Sequence, residues 1–419
     1  MGSSAFRRHG WVGLDRRVWQ MAFARAINTM GLSLVMSFLG IYIVDTRGYP
    51  AWLYGVIALV ANLGQSLSSA WAGNLSDRIG RRPLITTSLF VRSVVIAVLG
   101  TQVFLDAPLW SLGLNMVIST SLRGGFEPVA YALVADVVTP EQRIPAFGLQ
   151  RMCANLGWAI GPALGGVLTL VVPYGLVFYA AAAMMVIAGF VTMRVVDPIH
   201  KQAEPAPPGE IRAALREGLS DPLLRLLLLG TFLCALLETQ MFSTLAIYMT
   251  DEIGLAKSNV GWLYTVNGLG VLIMQLPALR ILQWLGINRA LPWASLLDAI
   301  GFALIGAAAG FTGAALAMFT LTAAEVLFDP AHQAAIAECG DPARRGRTYG
   351  VVAFIQMIGI AMAPLLGGIL LDTVGEHHVG MWLAIATIGL AQTVCFVAYV
   401  RRRTTMLPGI SLGSTAARV

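Results

Sequence analysis

The residues of this chain with the capacity for chemistry are charges set in apolar surroundings. Arg123 and Glu127 stand four residues apart in one apolar stretch, and Glu325 and Asp329 stand four apart in another. That spacing puts both side chains of a pair on one face of a helix. Glu238, followed by Thr239 and Gln240, lies in a third stretch, and Arg25 with Asn28 in a fourth. Two carboxylates one turn apart in an apolar wall repel when both are ionised, which favours a proton on one of them. A carboxyl group that gains a proton on one side of a membrane and loses it on the other is the chemistry of a proton-coupled carrier. Glu325 is the first candidate for that role or for contact with a substrate, with Asp329, Glu127 and Glu238 beside it. Its alternative is a structural partner of an arginine. Arg123 reads either as a coupling residue or as an intrahelical partner of Glu127.

These residues belong to a duplication. Arg123, Phe126-Glu127-Pro128, Asp136, Pro140, Arg143, Gly148, Pro162 and Gly165-Gly166 recur as Glu325, Phe328-Asp329-Pro330, Glu338, Pro342, Arg345, Gly350, Pro364 and Gly367-Gly368, every pair 202 positions apart. Upstream the offset is 206: Ile41-Tyr42 with Asp45 returns as Ile247-Tyr248 with Asp251, then Gly55 as Gly261, Gly64 as Gly270 and Gly80 as Gly286. Self-similarity over half the chain means that one unit was copied. Because Arg123 corresponds to Glu325, a twofold relation between the copies would set a cation and an anion across one cavity.

The elements that must position these charges are membrane helices. The chain is 57% hydrophobic and 12% charged, with a mean hydropathy of +0.73, about half the charge of a soluble domain. A span needs about 20 apolar residues. The punctuation gives twelve: 18–44, 52–76, 84–103, 108–137, 145–172, 174–195, 223–250, 258–283, 289–309, 312–339, 346–371 and 379–400. This divides the chain into an N-terminal segment 1–17, a six-helix bundle 18–195, a Pro-rich linker 196–222, a second bundle 223–400 and a tail 401–419. Of 28 Lys and Arg, Arg25, Arg92, Arg123 and Arg151 fall well inside spans rather than at their ends, and only Arg47 and Lys257 fall in loops from an odd to an even span. The positive-inside rule then places both termini and the linker in the cytoplasm. Topology thus accounts for the net charge of +6, and no nucleic acid is expected.

Other chemistries find no support. The four cysteines show no CxxC spacing, the five histidines are scattered without HExxH, and there is no GxSxG. No Gly-rich loop ends in Lys-Ser or Lys-Thr, so no ATP site is expected. Neither metal nor cofactor is expected, and the chain reads as no enzyme.

Gly73-Asn74-Leu75-Ser76-Asp77-Arg78-Ile79-Gly80-Arg81-Arg82 closely resembles the G-x-L-x-D-R-x-G-R-[KR] loop of the major facilitator superfamily, and the six-plus-six arrangement resembles that family over essentially the whole chain. Ser121 to Gly125 in span four resembles its Arg-containing motif. Gly157, Gly161, Pro162 and Gly165 in span five resemble the motif of its twelve-helix drug:proton antiporters. The resemblance implies an all-α membrane protein of twelve helices in two pseudo-twofold-related six-helix bundles, with spans one, four, seven and ten lining the cavity. It also implies a cytoplasmic latch of Gly73, Asp77, Arg78, Gly80 and Arg81, where Arg81 reaches Asp136 and Asp77 meets the start of span eleven; Glu338 is the counterpart of Asp136. The alternative is that the arginines only fix topology. Glycines every fourth residue in span five make a flat face for close helix approach, either joining the two halves or packing within one.

The expected function is proton-coupled export of small amphipathic, drug-like compounds, lipophilic or cationic, by alternating access. Arg25, Asn28, Gln240, Phe242 and Phe328 form the expected substrate cavity, although aromatic neighbours are also ordinary packing. The alternative is uptake of a metabolite, or lipid movement, with Arg25 and Arg123 binding an anion. The expected partners are substrate, protons and membrane lipids, for a monomer in the plasma (inner) membrane. Arg92, Arg151 and Asp298 have no assigned role.

Overall fold

A computed structural model describes residues 13–139, 142–196, 216, 219–339, 345–374 and 378–406. The expected linker falls almost wholly outside them. Every expected span is helical: Arg16–Ile41 with a π-helical turn Tyr42–Thr46, Ala51–Ile79, Arg81–Phe104, Leu109–Arg123 with Glu127–Val137, Arg143–Val171, Tyr174–Met193, Pro222–Asp251, Lys257–Leu285, Ile287–Gly306, Phe311–Glu338, Arg345–Val374 and His378–Met406. Ten candidate spans among the described residues are long and apolar enough to cross a membrane. The other two are span four, which is broken, and span eight, whose apolar run Asn259, Asn267 and Gln275 interrupt.

Asp15 starts the first helix: its carboxylate accepts from Arg17 N at 2.7 Å and pairs with the Arg17 guanidinium at 2.8 Å. The hydrogen bond from the Arg17 side chain holds that carboxyl below its ordinary value.

The duplication is visible in the backbone. Gly48 and Gly254, with φ of 66° and 70°, and Gly80 and Gly286, with φ of 96° and 71°, are pairs 206 positions apart. All four adopt a conformation that costs other residues dearly. The copies part at spans four and ten. Gly124-Gly125 breaks span four, and its backbone closes there through Gly124 N to Ser121 O at 3.1 Å and Phe126 N to Arg123 O at 3.0 Å. Ser68 Oγ donates to Ser121 O and Ser88 Oγ to Leu122 O at 2.7 Å, so serines from spans two and three take the carbonyls at the break, as an apolar solvent demands. Span ten stays helical through Pro330, because Val326 and Leu327 replace the two glycines.

The chain forms two compact units: Met1–Pro205 with Met249–Gly268, and Ala206–Tyr248 with Leu269–Val419. The boundary at Pro205 and Ala206 falls within the expected linker, and Met249–Gly268 is grouped with the first unit. The beginning of span eight belongs to the first unit because small residues let it lie against span five. A Cβ on Gly166 would come 2.7 Å from Ser258 Cα, and one on Gly268 2.8 Å from Ala159 Cα. Lys257 Nζ, 3.0 Å from Asp45 and 4.7 Å from the Tyr174 ring centroid, fastens that end.

The Gly157, Gly161, Gly165 face looks elsewhere. It packs on span one, with a Cβ on Gly157 coming 2.7 Å from Ala26 O and one on Gly161 2.5 Å from Met30 O. The reading of that stripe as a joint between the halves is therefore corrected. It packs within the first unit, and the residues one or two positions along, Ala159, Pro162 and Gly166, meet span eight. Gly161→Val should lower thermal stability in detergent by about 1–3 kcal/mol through overpacking. Gly148→Ala, where nothing lies within 4 Å, should leave the melting temperature unchanged or raised.

Candidate functional site

The first unit gathers charge at the break in span four. Arg123 closes one helix and Glu127 opens the next, each at the end whose backbone dipole suits its sign. Arg123 Nη2 donates to Glu127 Oε1 at 2.8 Å. Arg25, 7% exposed, sits with its guanidinium 4.3 Å from the Tyr131 ring centroid. Arg92, 2% exposed, donates to Asn28 Oδ1 at 3.5 Å and to Ser119 Oγ at 3.4 Å. All three arginines act electrostatically on Glu127.

The second unit carries the opposite charge. Glu238, Asp298, Glu325 and Asp329 line one cavity with Met241, Phe242, Phe302 and Leu321, and it measures about 70 Å³. A water occupies roughly 30 Å³ of liquid, whereas ligand pockets run to about 300–1,000 Å³. This cavity therefore fits a few waters or a proton path rather than a drug-sized molecule.

A cavity of about 10 Å³ occupies the corresponding place in the first unit. Leu32, Val35, Met36, Arg92 and Ile96 line it where Glu238, Met241, Phe242, Asp298 and Phe302 line the other, each pair 206 positions apart. Ser119 and Leu321 correspond at 202. One cavity was thus duplicated, with the sign of its charge reversed. Arg92 and Asp298 escaped the sequence reading, yet the signal was present: the 206 offset continues past Gly80 and Gly286 to Gly100 and Gly306.

Two of the expected substrate contacts lie elsewhere. Phe328 is buried in the core of the second unit, its ring 5.1 Å from that of His332 and 5.4 Å from that of Phe396. Gln240 is fully buried and donates to Ala363 O at 2.8 Å, tying span seven to span eleven. Both are packing residues because they lie on helix faces turned toward neighbouring helices. His332 Nε2 is 2.7 Å from Thr231 Oγ1. Phe242 does line the acidic cavity, and Asn28 is buried beside Arg92.

In the loop after span two, Arg81 Nε lies 2.7 Å from Asp136 Oδ2. Arg78 is exposed, and Gly80 makes the turn between the helices. The Asp77 and Glu338 side chains and the surroundings of Gly73 lie outside the described residues.

Two duplicated helical units with charges buried at the middle of apolar spans define a membrane transporter. The family model described as Major Facilitator Superfamily matches residues 21–237 and 227–413, and the chain belongs to that superfamily. It is 24% identical over 372 residues to an uncharacterized MFS-type transporter, YqjV, of Bacillus subtilis (strain 168), covering 87% of this chain and 88% of that one. It is 24% identical over 387 residues to multidrug resistance protein MdtH of Aeromonas salmonicida (strain A449), covering 90% and 94%. The crystal structure of the nucleoside transporter NupG shares the fold, with a TM-score of 0.75 at 13% identity over 92% of this chain and 99% of that one. The chain is a multi-pass membrane protein that transports a small molecule and is not an enzyme.

A double-mutant cycle of Arg123→Met and Glu127→Gln, read by thermal denaturation, should give a coupling of about 0.5–3 kcal/mol. Either single change should destabilise more than the pair of changes together.

Proposed function

We propose that the protein exports small amphipathic compounds in exchange for protons across the plasma (inner) membrane, as a monomer with both termini in the cytoplasm. The observation that carries this reading is the acidic cavity of the second unit. Four carboxylates around about 70 Å³ cannot all be ionised at low cost in an apolar wall. Their protonation therefore responds to which side of the membrane the cavity meets, and a proton gradient drives the cycle in that way. Glu325 and Asp298 are the proton carriers of first choice, with Asp329 and Glu238 sharing the load. The name of the MdtH relatives, multidrug resistance protein, supports drug-like substrates.

Arg81 with Asp136 serves as a cytoplasmic latch in this reading, together with Asp77, Arg78, Gly80 and Glu338. Partly exposed ion pairs contribute only about 0.2–1 kcal/mol to stability, so the pair's worth lies in favouring one conformation. Topology from the basic loops supports the cytoplasmic placement.

In inside-out and right-side-out vesicles, Glu325→Gln should abolish proton-driven transport and leave downhill substrate exchange, and Asp298→Asn should impair drive in the same sense. Substrate-driven proton release supports exchange, whereas co-entry of proton and substrate would replace it with uptake. Retention of full active transport by Glu325→Gln would remove that residue from the mechanism.

A further inference from the structure

The first unit holds more positive charge than its own side chains answer. Among the described residues, the carboxylate that faces Arg25, Arg92 and Arg123 is Glu127, which Arg123 already engages at 2.8 Å. Arg25 Nε and Nη1 are buried and make no hydrogen bond among the described residues, although the residue is only 7% exposed. Arg123 Nε is likewise buried without a hydrogen-bond acceptor. The Arg92 bonds of 3.4 and 3.5 Å lie beyond the usual range for N–H to O.

Donors left unfilled on a buried charge are costly. Arginine cannot escape the cost by giving up its proton. An aliphatic or amide side chain in place of Arg25 would remove the expense, and within the protein the guanidinium has the Tyr131 ring and the charge of Glu127 but no acceptor for these two donors. The fixed fork of N–H groups matches an oxyanion. Tyr131 lies under the Arg25 guanidinium, and Val35, Met36, Ser119 and Thr120 are among the residues beside Arg92.

We propose that the first unit contains a binding site for one oxyanion, a carboxylate or phosphate carried by a small amphipathic molecule, held by Arg25 with Arg92 and Arg123 completing the charge. The proposal goes beyond the export reading, which rests on the second unit. Its occupant comes either from solution or from a lipid headgroup.

Full-length protein in phosphatidylcholine nanodiscs, melted at constant ionic strength, tests this with benzoate as the probe and benzyl alcohol as its uncharged analogue. Benzoate should raise the melting temperature saturably and benzyl alcohol should not. Arg25→Gln should weaken the apparent benzoate affinity about tenfold or more, Arg92→Gln should weaken it in the same direction, and Arg25→Lys should recover part of the loss. Nanodiscs containing phosphatidylglycerol separate the sources: stabilisation by that lipid that depends on Arg25 and suppresses the benzoate effect assigns the site to a headgroup. Absence of any benzoate or lipid effect in the wild type overturns the proposal. So does an effect that survives unchanged in Arg92→Gln and Arg25→Gln, and Arg92→Gln alone decides if the Arg25 variant fails to fold. The measurement uses no gradient, so its failure leaves the export reading standing, and failure of proton-driven transport leaves the anion site standing.

Discussion

Lipid offers no partner to a backbone carbonyl or a charge, and span four shows how far this constraint shapes the chain. Two glycines break the helix, serines from spans two and three close the carbonyls at the break, and the new helix ends receive Arg123 and Glu127 with signs that suit them. The ion pair across the break is then both a structural closure and the centre of the first unit's charge. A break without those serines would leave polar groups exposed to hydrocarbon.

The second unit meets the same constraint differently. Its span ten runs on as a helix, with Val326 and Leu327 where the glycines were. Its charge is negative, and carboxylates, unlike guanidiniums, satisfy themselves by taking up protons. Duplication followed by reversal of sign thus turned one cavity into two with different chemistry. In the proposed reading the acidic cavity serves energy coupling and the arginines of the first unit hold an anion. Close helix packing supports both: the glycine stripe of span five fixes span one beside Arg25 and Asn28, and its neighbouring positions receive span eight.

Much of this was legible in the residues. The length of each apolar run set the helices to within a few positions, and the loop motif predicted the Arg81 and Asp136 pair that the structure contains. The i, i+4 spacing predicted that Arg123 meets Glu127, but within one helix rather than across the break that the structure contains. Arg92 and Asp298 were missed because neither has a charged neighbour one helical turn away, and the repeat that marks them changes offset between spans three and four. Phe328 and Gln240 were misplaced for a different reason. In a soluble helix the apolar stripe tells which face is buried, but lipid is as apolar as a protein core, so a membrane helix shows similar composition toward either.

The sequence by itself therefore determined where the apolar spans lie and where charges fall within them, since both follow from the cost of placing chain in hydrocarbon, and its internal offsets determined the duplication. Tertiary structure alone decided which side of each helix meets which neighbour. Through that it decided that four carboxylates share one cavity, that Gln240 and Phe328 pack between helices, and that the first turns of span eight join the first unit. Those outcomes depend on the rotation of helices about their axes, and in an apolar solvent hydrophobicity does not set that rotation; small residues and hydrogen bonds between helices do.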